Sequence, residues 1–183
     1  MPEALPDDVV TAAQSGDAGA FSRIYAALAP GVHGYLKVRG LEDHEGAAQE
    51  VFLTVFSRIG TVHGGFQGLR TFTFSVAHAR YVDDVRRRAR SPHLAGYDPD
   101  TDVRAVDSAE TTVLESLGST GIGQQLRQLK PDQQEVLLLR VVADLSLEQV
   151  AEIMGRSTGS IKQLQRRALL KLKSIVEREE ALV

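Results

Sequence analysis

The chain contains no cysteine among its 183 residues. That excludes disulfides, a thiolate nucleophile, cysteine-based zinc sites and a direct thiol redox switch. It also lacks any apolar run approaching the roughly 20 residues a membrane-spanning helix requires. Its first residues, MPEALPDDVV, are acidic where a secretory leader is basic and then apolar. These absences predict a cytoplasmic protein with no membrane insertion. No alternating strand pattern and no internal repeat stands out.

The constellations of catalysis are missing as well. His33, His44, His63, His78 and His93 are dispersed and form no ligand cluster with Asp or Glu, and Ala48 stands where a zinc-protease helix beginning His44-Glu45 needs its second histidine. Asp83 and Asp84 point about 100° apart on a helix, so they are expected to pair with Arg80, Arg86 or Arg87 rather than to share a proton. There is no GxxxxGK[ST] or GxSxG, and GGFQG at 64–68 is too short for a phosphate loop and lacks the following lysine. The expectation is a protein that is no enzyme and takes no cofactor or metal.

Charge is what the chain has in an informative arrangement. The net charge is −3, but the average hides segregation, and local fields follow the distribution. Residues 1–68 are net −4, 69–90 net +4, 91–123 net −5 and 124–183 net +2. From Arg156 to Lys173 there are six basic residues and no acidic one. Two cationic surfaces are thus separated by an acidic stretch.

Apolar periodicity predicts helices throughout, hence an all-α protein. At least three lie between Pro6 and Ile59, the strongest over Glu45 to Ile59, where Val51, Phe52, Val55, Phe56 and Ile59 share one face. Gly64 and Gly65 break the pattern, and a further helix is expected from about Leu69 to Arg90, with Phe72, Val76, Ala79 or Tyr81, and Val82 to Val85 inside. Its cationic C-terminal end suits the helix macrodipole. Residues 91–123 are dense in Pro, Gly, Ser, Asp and Thr, the composition of an acidic flexible linker, in which VLESL could form one short helix. A second helical domain is expected over 124–183. It has a helix to Leu129, Pro131 at a helix start with Asp132 in the first turn, the apolar run Val136 to Val142, and a capping box formed by Ser146 and Gln149.

The segment LSLEQVAEIMGRSTGSIKQLQRRALLKLK has helix-turn-helix spacing. Small Ala151 allows two helices to approach, Gly155 can take the positive φ of a tight turn, and Ile161 packs back into the angle between them. An amphipathic hairpin with a solvated basic face shares the periodicity, but cap, turn and charge together favour DNA binding. Recognition helices set N-terminal residues against base edges and basic residues against phosphates. The candidates are Arg156, Ser157, Ser160, Lys162, Gln163, Arg166 and Arg167, with Lys171 and Lys173 further along.

The text QQEVLLLRVVADLSLEQVAEIMGRSTGSIKQLQRRALLKLK resembles the region-four domain of extracytoplasmic-function (ECF) sigma factors, although output domains of LuxR-type response regulators look similar here. The N-terminal part extends the resemblance. SGDAGAFSRIYAALAPGVHGYL is similar to the family's opening helices, AAQEVFLTVFSRI to its polymerase-binding helix, and FQGLRTFTFSVAHARYVDDVRRRAR to the region-two helix that meets the −10 element.

The resemblance implies a sigma factor with region two over 1–90, a linker over 91–123 and region four over 124–183. It implies contact of Gln49, Glu50, Phe52 and Leu53 with the β′ clamp helices of RNA polymerase core, of region four with the β flap, and of the recognition helix with the −35 element of promoter DNA. For the −10 element it implies Phe72, His78, Arg80, Asp83, Arg86, Arg87 and Arg88, with 65–69 as the loop that takes an extruded base. Phe72 and Phe74 are read as mainly packing residues. An anti-sigma factor is a further implied partner. The chain departs from the family in having Phe72 for the usual Trp, Ala79 for Asn, Gly46-Ala47 for Asp-Leu, and KQLQRRAL for the commoner KSRLHRAR. Alternative readings are a helix-turn-helix regulator with an N-terminal sensing or dimerisation domain, and a pure protein-interaction module.

Overall fold

A computed structural model describes residues 5–90 and 121–180, and all regular structure among the described residues is helical. The N-terminal part holds α1 (Asp7–Gln14), α2 (Ala18–Val38), α3 (His44–Ser57), a 3₁₀ turn (Ile59–Thr61) and α4 (Gly65–Arg90). The C-terminal part holds α5 (Gly121–Arg127), α6 (Pro131–Leu137), a π-helical turn (Leu138–Val142), α7 (Leu147–Met154) and α8 (Thr158–Glu180).

Short polar residues start the helices by taking up amide protons that have no partner inside the helix. Asp17 accepts from the Ala20 amide at 2.8 Å to open α2, and Asp43 accepts from the Gly46 amide at 2.8 Å to open α3. The cap of α4 comes from far away in sequence: Asp7 of α1 accepts from the Phe66 amide at 2.8 Å. Gly65 there has φ +59°, and a Cβ on Gly68 would fall 1.8 Å from the His63 carbonyl oxygen. The glycines of GGFQG therefore serve close backbone approach at a helix start. Gln14 ties α1 to the 3₁₀ turn by donating to the carbonyls of Ile59 (3.0 Å) and Val62 (2.9 Å).

Ile24, Leu28, Val32, Tyr35 and Leu36 of α2 are buried against Val51, Phe52 and Val55 of α3 and Leu69, Phe74 and Ala77 of α4. In the C-terminal part Val136, Leu139 and Leu145 meet Val150, Ile161, Ala168 and Ile175. The two sets are continuous, because α2 touches the π turn and α5, and α4 touches α7.

Several boundaries differ from the sequence expectation. Residues 65–69 form the first turn of α4 rather than a loop, with Phe66 and Leu69 buried. Helix α3 ends at Ser57, two residues early, because the chain tightens into the 3₁₀ turn. Val85 is exposed, since by then α4 has run past the bundle. The apolar run to Val142 is α-helical only as far as Leu137. It then widens into the π turn, which buries Leu138 and Leu139 and turns Val141 outward. The C-terminal helices begin at Gly121, three residues before expected. The remainder of the acidic segment, 91–120, including VLESL, lies outside the described residues.

Candidate nucleic-acid interface

Helices α7 and α8 form the helix-turn-helix that the sequence predicts. Ser146 caps α7 by accepting from the Gln149 amide at 3.2 Å, while the Gln149 side chain accepts from the Ser146 amide at 2.7 Å. Gly155 ends α7 with φ +61°, ψ 38°, the left-handed conformation that a side chain would oppose. Ser157 then opens α8 by accepting from the Ser160 amide at 3.2 Å. Ala151 and Ile161 are buried in the angle between the helices. Burying Ile161 contributes roughly 2 kcal/mol, and together with the caps it fixes the face α8 presents.

That face carries the predicted residues. Arg156, Ser157, Ser160, Lys162, Gln163, Arg166 and Arg167 are all exposed, while Ile161, Leu164 and Ala168 point inward. A groove of about 500 Å³ runs beside them, lined by Lys130, Asp132, Arg156, Ser160, Leu164 and Arg167. Sequence reading missed Lys130, which belongs to the preceding turn. Arg156 is held by Asp132, whereas Lys162, Arg166 and Arg167 make no ion pair among the described residues.

The residues assigned to the −10 element are scattered around α4. Phe72 is half-buried against the core, and Phe74 is fully packed against Tyr35, with ring centroids 5.9 Å apart. Arg80 pairs with Glu50 of α3 at 3.0 Å. Asp84 holds both Arg87 (2.6 Å) and Arg88 (2.7 Å), and Arg88 also donates to the Gly40 carbonyl at 3.1 Å. Arg86 is the most loosely paired of the group, 4.0 Å from Asp83. His78 points away from all of these, toward the C-terminal helices.

On α3, Gln49, Glu50 and Leu53 lie at the surface, and Leu53 is 71% exposed. Phe52, expected with them, is instead 3% exposed and packed against Tyr25, at 4.7 Å between ring centroids. Position 52 falls on the buried stripe with Ala48, Val51 and Val55, whereas 53 points about 100° away, and the core takes the aromatic ring.

Sequence reading missed a buried cluster between the two parts. Glu135 of α6 is 2% exposed. Its Oε1 accepts a 2.6 Å hydrogen bond from the Tyr35 hydroxyl and lies 2.9 Å from His78 Nδ1, and its Oε2 lies 3.1 Å from Arg39 Nε. Arg39 also donates to the Pro131 carbonyl (2.8 Å) and to Gln134 Oε1 (3.0 Å), and its guanidinium lies 3.8 Å from the Tyr81 ring centroid. Burial first, and then the Glu135 carboxylate, push the Tyr35 phenol well above its ordinary value. The one sequence signal was a glutamate inside the apolar run QQEVLLL. A separate pair, His33 and His44, stacks edge to face at 6.5 Å. Burial and then the His44 charge lower the His33 value, against Glu45, which raises it.

A helix-turn-helix thus stands behind a four-helix N-terminal unit. Residues 125–174 match the family described as sigma-70, region 4. The chain is 35% identical over 166 residues to the ECF RNA polymerase sigma factor BldN of Streptomyces coelicolor, covering 88% of this chain and 62% of that protein. It is 28% identical over 173 residues to the ECF RNA polymerase sigma factor SigD of Mycobacterium tuberculosis, covering 91% of this chain and 82% of that one. In fold it is similar to a chain in the structure of CnrH in complex with the cytosolic domain of CnrY, with a TM-score of 0.64 at 17% identity, covering 94% of this chain and 97% of that chain. Over most of its length the chain is similar in sequence to ECF sigma factors, and it spans 62% of the length of BldN.

Proposed function

We propose that the protein directs RNA polymerase core to promoters and initiates transcription there. The observation that carries this reading is the region-four helix-turn-helix, whose basic residues stand free of the core, set behind an N-terminal part that follows ECF sigma factors in sequence. The −35 element is read by the turn before α8, through Arg156 and Ser157, and by α8 itself, through Ser160, Lys162, Gln163, Arg166 and Arg167. The −10 element is met by α4, with Arg86, Arg87 and Arg88 on phosphates and His78 near the bases. Polymerase docks on α3 through Gln49, Glu50 and Leu53, while Phe52 supports that face from beneath, and region four meets the β flap. Residues 1–90 act as region two and the C-terminal helices as region four.

Among the described residues no helix is long and apolar enough to cross a membrane, and promoter recognition would place the protein in the cytoplasm. An anti-sigma factor is the partner expected to hold it inactive. Transcription reconstituted with core polymerase and a promoter library tests the reading: addition of the protein should produce initiation at a defined subset of promoters. Stable binding to duplex DNA without polymerase, and no initiation with it, would favour a conventional repressor or activator.

A further inference from the structure

The C-terminal helices do not merely adjoin α4; they lie along one stripe of it. Arg70 pairs with Asp144 at 3.2 Å, Thr71 accepts a 2.7 Å hydrogen bond from the Gln149 side chain, and Phe74 packs on Tyr35 and Gly31 beside Val142. His78 ends the row on Glu135. Residues 67, 70, 71, 74 and 78 follow helical spacing, so they form one continuous face about 16 Å long. That is the helix assigned to the −10 element, and the elements that cover it, α6 and α7, belong to the part assigned to the −35 element.

The two assignments conflict with this packing. Elements named −10 and −35 lie nearly two and a half helical turns of duplex apart, roughly 80 Å at about 34 Å per turn, whereas here the two parts assigned to them touch. A chain held this way can meet one element but not both, and a melted strand cannot reach His78 while Glu135 occupies it.

We propose that this is a closed, self-masking state of the protein, latched by Glu135 in the Tyr35, Arg39 and His78 pocket, and that release of Glu135 uncovers the stripe of α4 that carries His78, the one −10 candidate covered here. The proposal rests on the promoter-recognition reading above. The chemistry suits a latch. The buried carboxylate is held on Oε1 by Tyr35 and His78 and on Oε2 only by the charge of Arg39, so removing either charge is costly in the closed state, and the charges regain hydration when the joint parts.

The test uses the absence of cysteine. Donor and acceptor dyes on Thr61→Cys and Ser174→Cys, both exposed, report the separation of the two parts in the full chain. Glu135→Gln leaves Arg39 buried without its counter-charge, and Arg39→Gln leaves the carboxylate stranded. Each should shift the population toward low transfer by roughly tenfold, at unchanged helical circular dichroism. The double variant removes both charges and should close again. Binding of a mixed-sequence single-stranded DNA 20-mer should strengthen roughly tenfold in each single variant and return toward wild type in the double. High transfer in every variant overturns the latch. So does equal opening in singles and double. Opening without stronger DNA binding overturns the masking. Capture of core polymerase by the same samples judges the promoter-recognition reading by itself: failure there, with the opening cycle intact, sinks that reading and leaves the latch standing.

Discussion

Tyr35 and Glu135, a hundred positions apart, share a 2.6 Å hydrogen bond in which the phenol donates and the carboxylate accepts. Because the phenol is buried and faces a carboxylate, its proton is harder to remove in the folded chain than in the unfolded one. Between pH 10 and the raised folded value the native state therefore holds one more proton, and stability falls as pH rises through that window. Tyr35 should ionise only as helical structure is lost, seen as tyrosinate absorbance following circular dichroism. Tyr35→Phe should remove that step and, below pH 9, cost about 2 kcal/mol in urea unfolding. Tyrosinate appearing ahead of unfolding would contradict the buried hydrogen bond.

The acid side depends on His33. Its folded value lies below the ordinary 6.5, so in the window between the two the unfolded chain binds more protons. The His33 contribution is full above about pH 6.5 and is lost as pH falls toward the folded value. His33→Gln should flatten the midpoint of urea unfolding between pH 7 and 5 relative to wild type. An equal slope in both proteins would remove His33 as its source.

Gly68 meets the His63 carbonyl where a Cβ would fall at 1.8 Å. Gly68→Ala should therefore displace the start of α4 and cost about 3 kcal/mol, while Gly60→Ala, with no heavy atom near its added Cβ, should stay within about 0.5 kcal/mol. Thermal unfolding of the two variants side by side checks the contrast.

Arg166 and Arg167 are exposed on the side of α8 proposed to meet DNA. Replacing both by Ala should abolish −35-dependent initiation, leave core polymerase binding intact, and lower the slope of log affinity against log salt by about 2. If core binding fell equally, the role given to α8 would be wrong.

How much was legible follows from where the information lay. Ser146, Gln149, Gly155 and Ile161 interact within sixteen positions, so the helix-turn-helix could be read from spacing, and the structure keeps each in its expected role. Residues 65–69 misled because glycines read as loop punctuation, while their purpose, closeness to His63 and a cap from Asp7, depends on a partner 59 residues away. Phe52 was placed at the polymerase surface by resemblance, yet core packing against Tyr25 and Phe56 claims the ring. The Glu135 cluster joins residues from three helices in two parts of the chain, and no local pattern marks Tyr35, Arg39 and His78 as its partners.

The joint between the two parts has a consequence for handling the opened molecule. Separation would part a polar row, Arg70, Thr71, His78 and Gln149, from its partners, and with it the apolar contact of Phe74 and α2 with the π turn. Water rewets such a row readily, whereas a seam of leucines would have made every opened copy adhesive. The polar row should therefore rewet on opening while the apolar contact beside it favours reclosing, so that the parted faces return to each other rather than remain open.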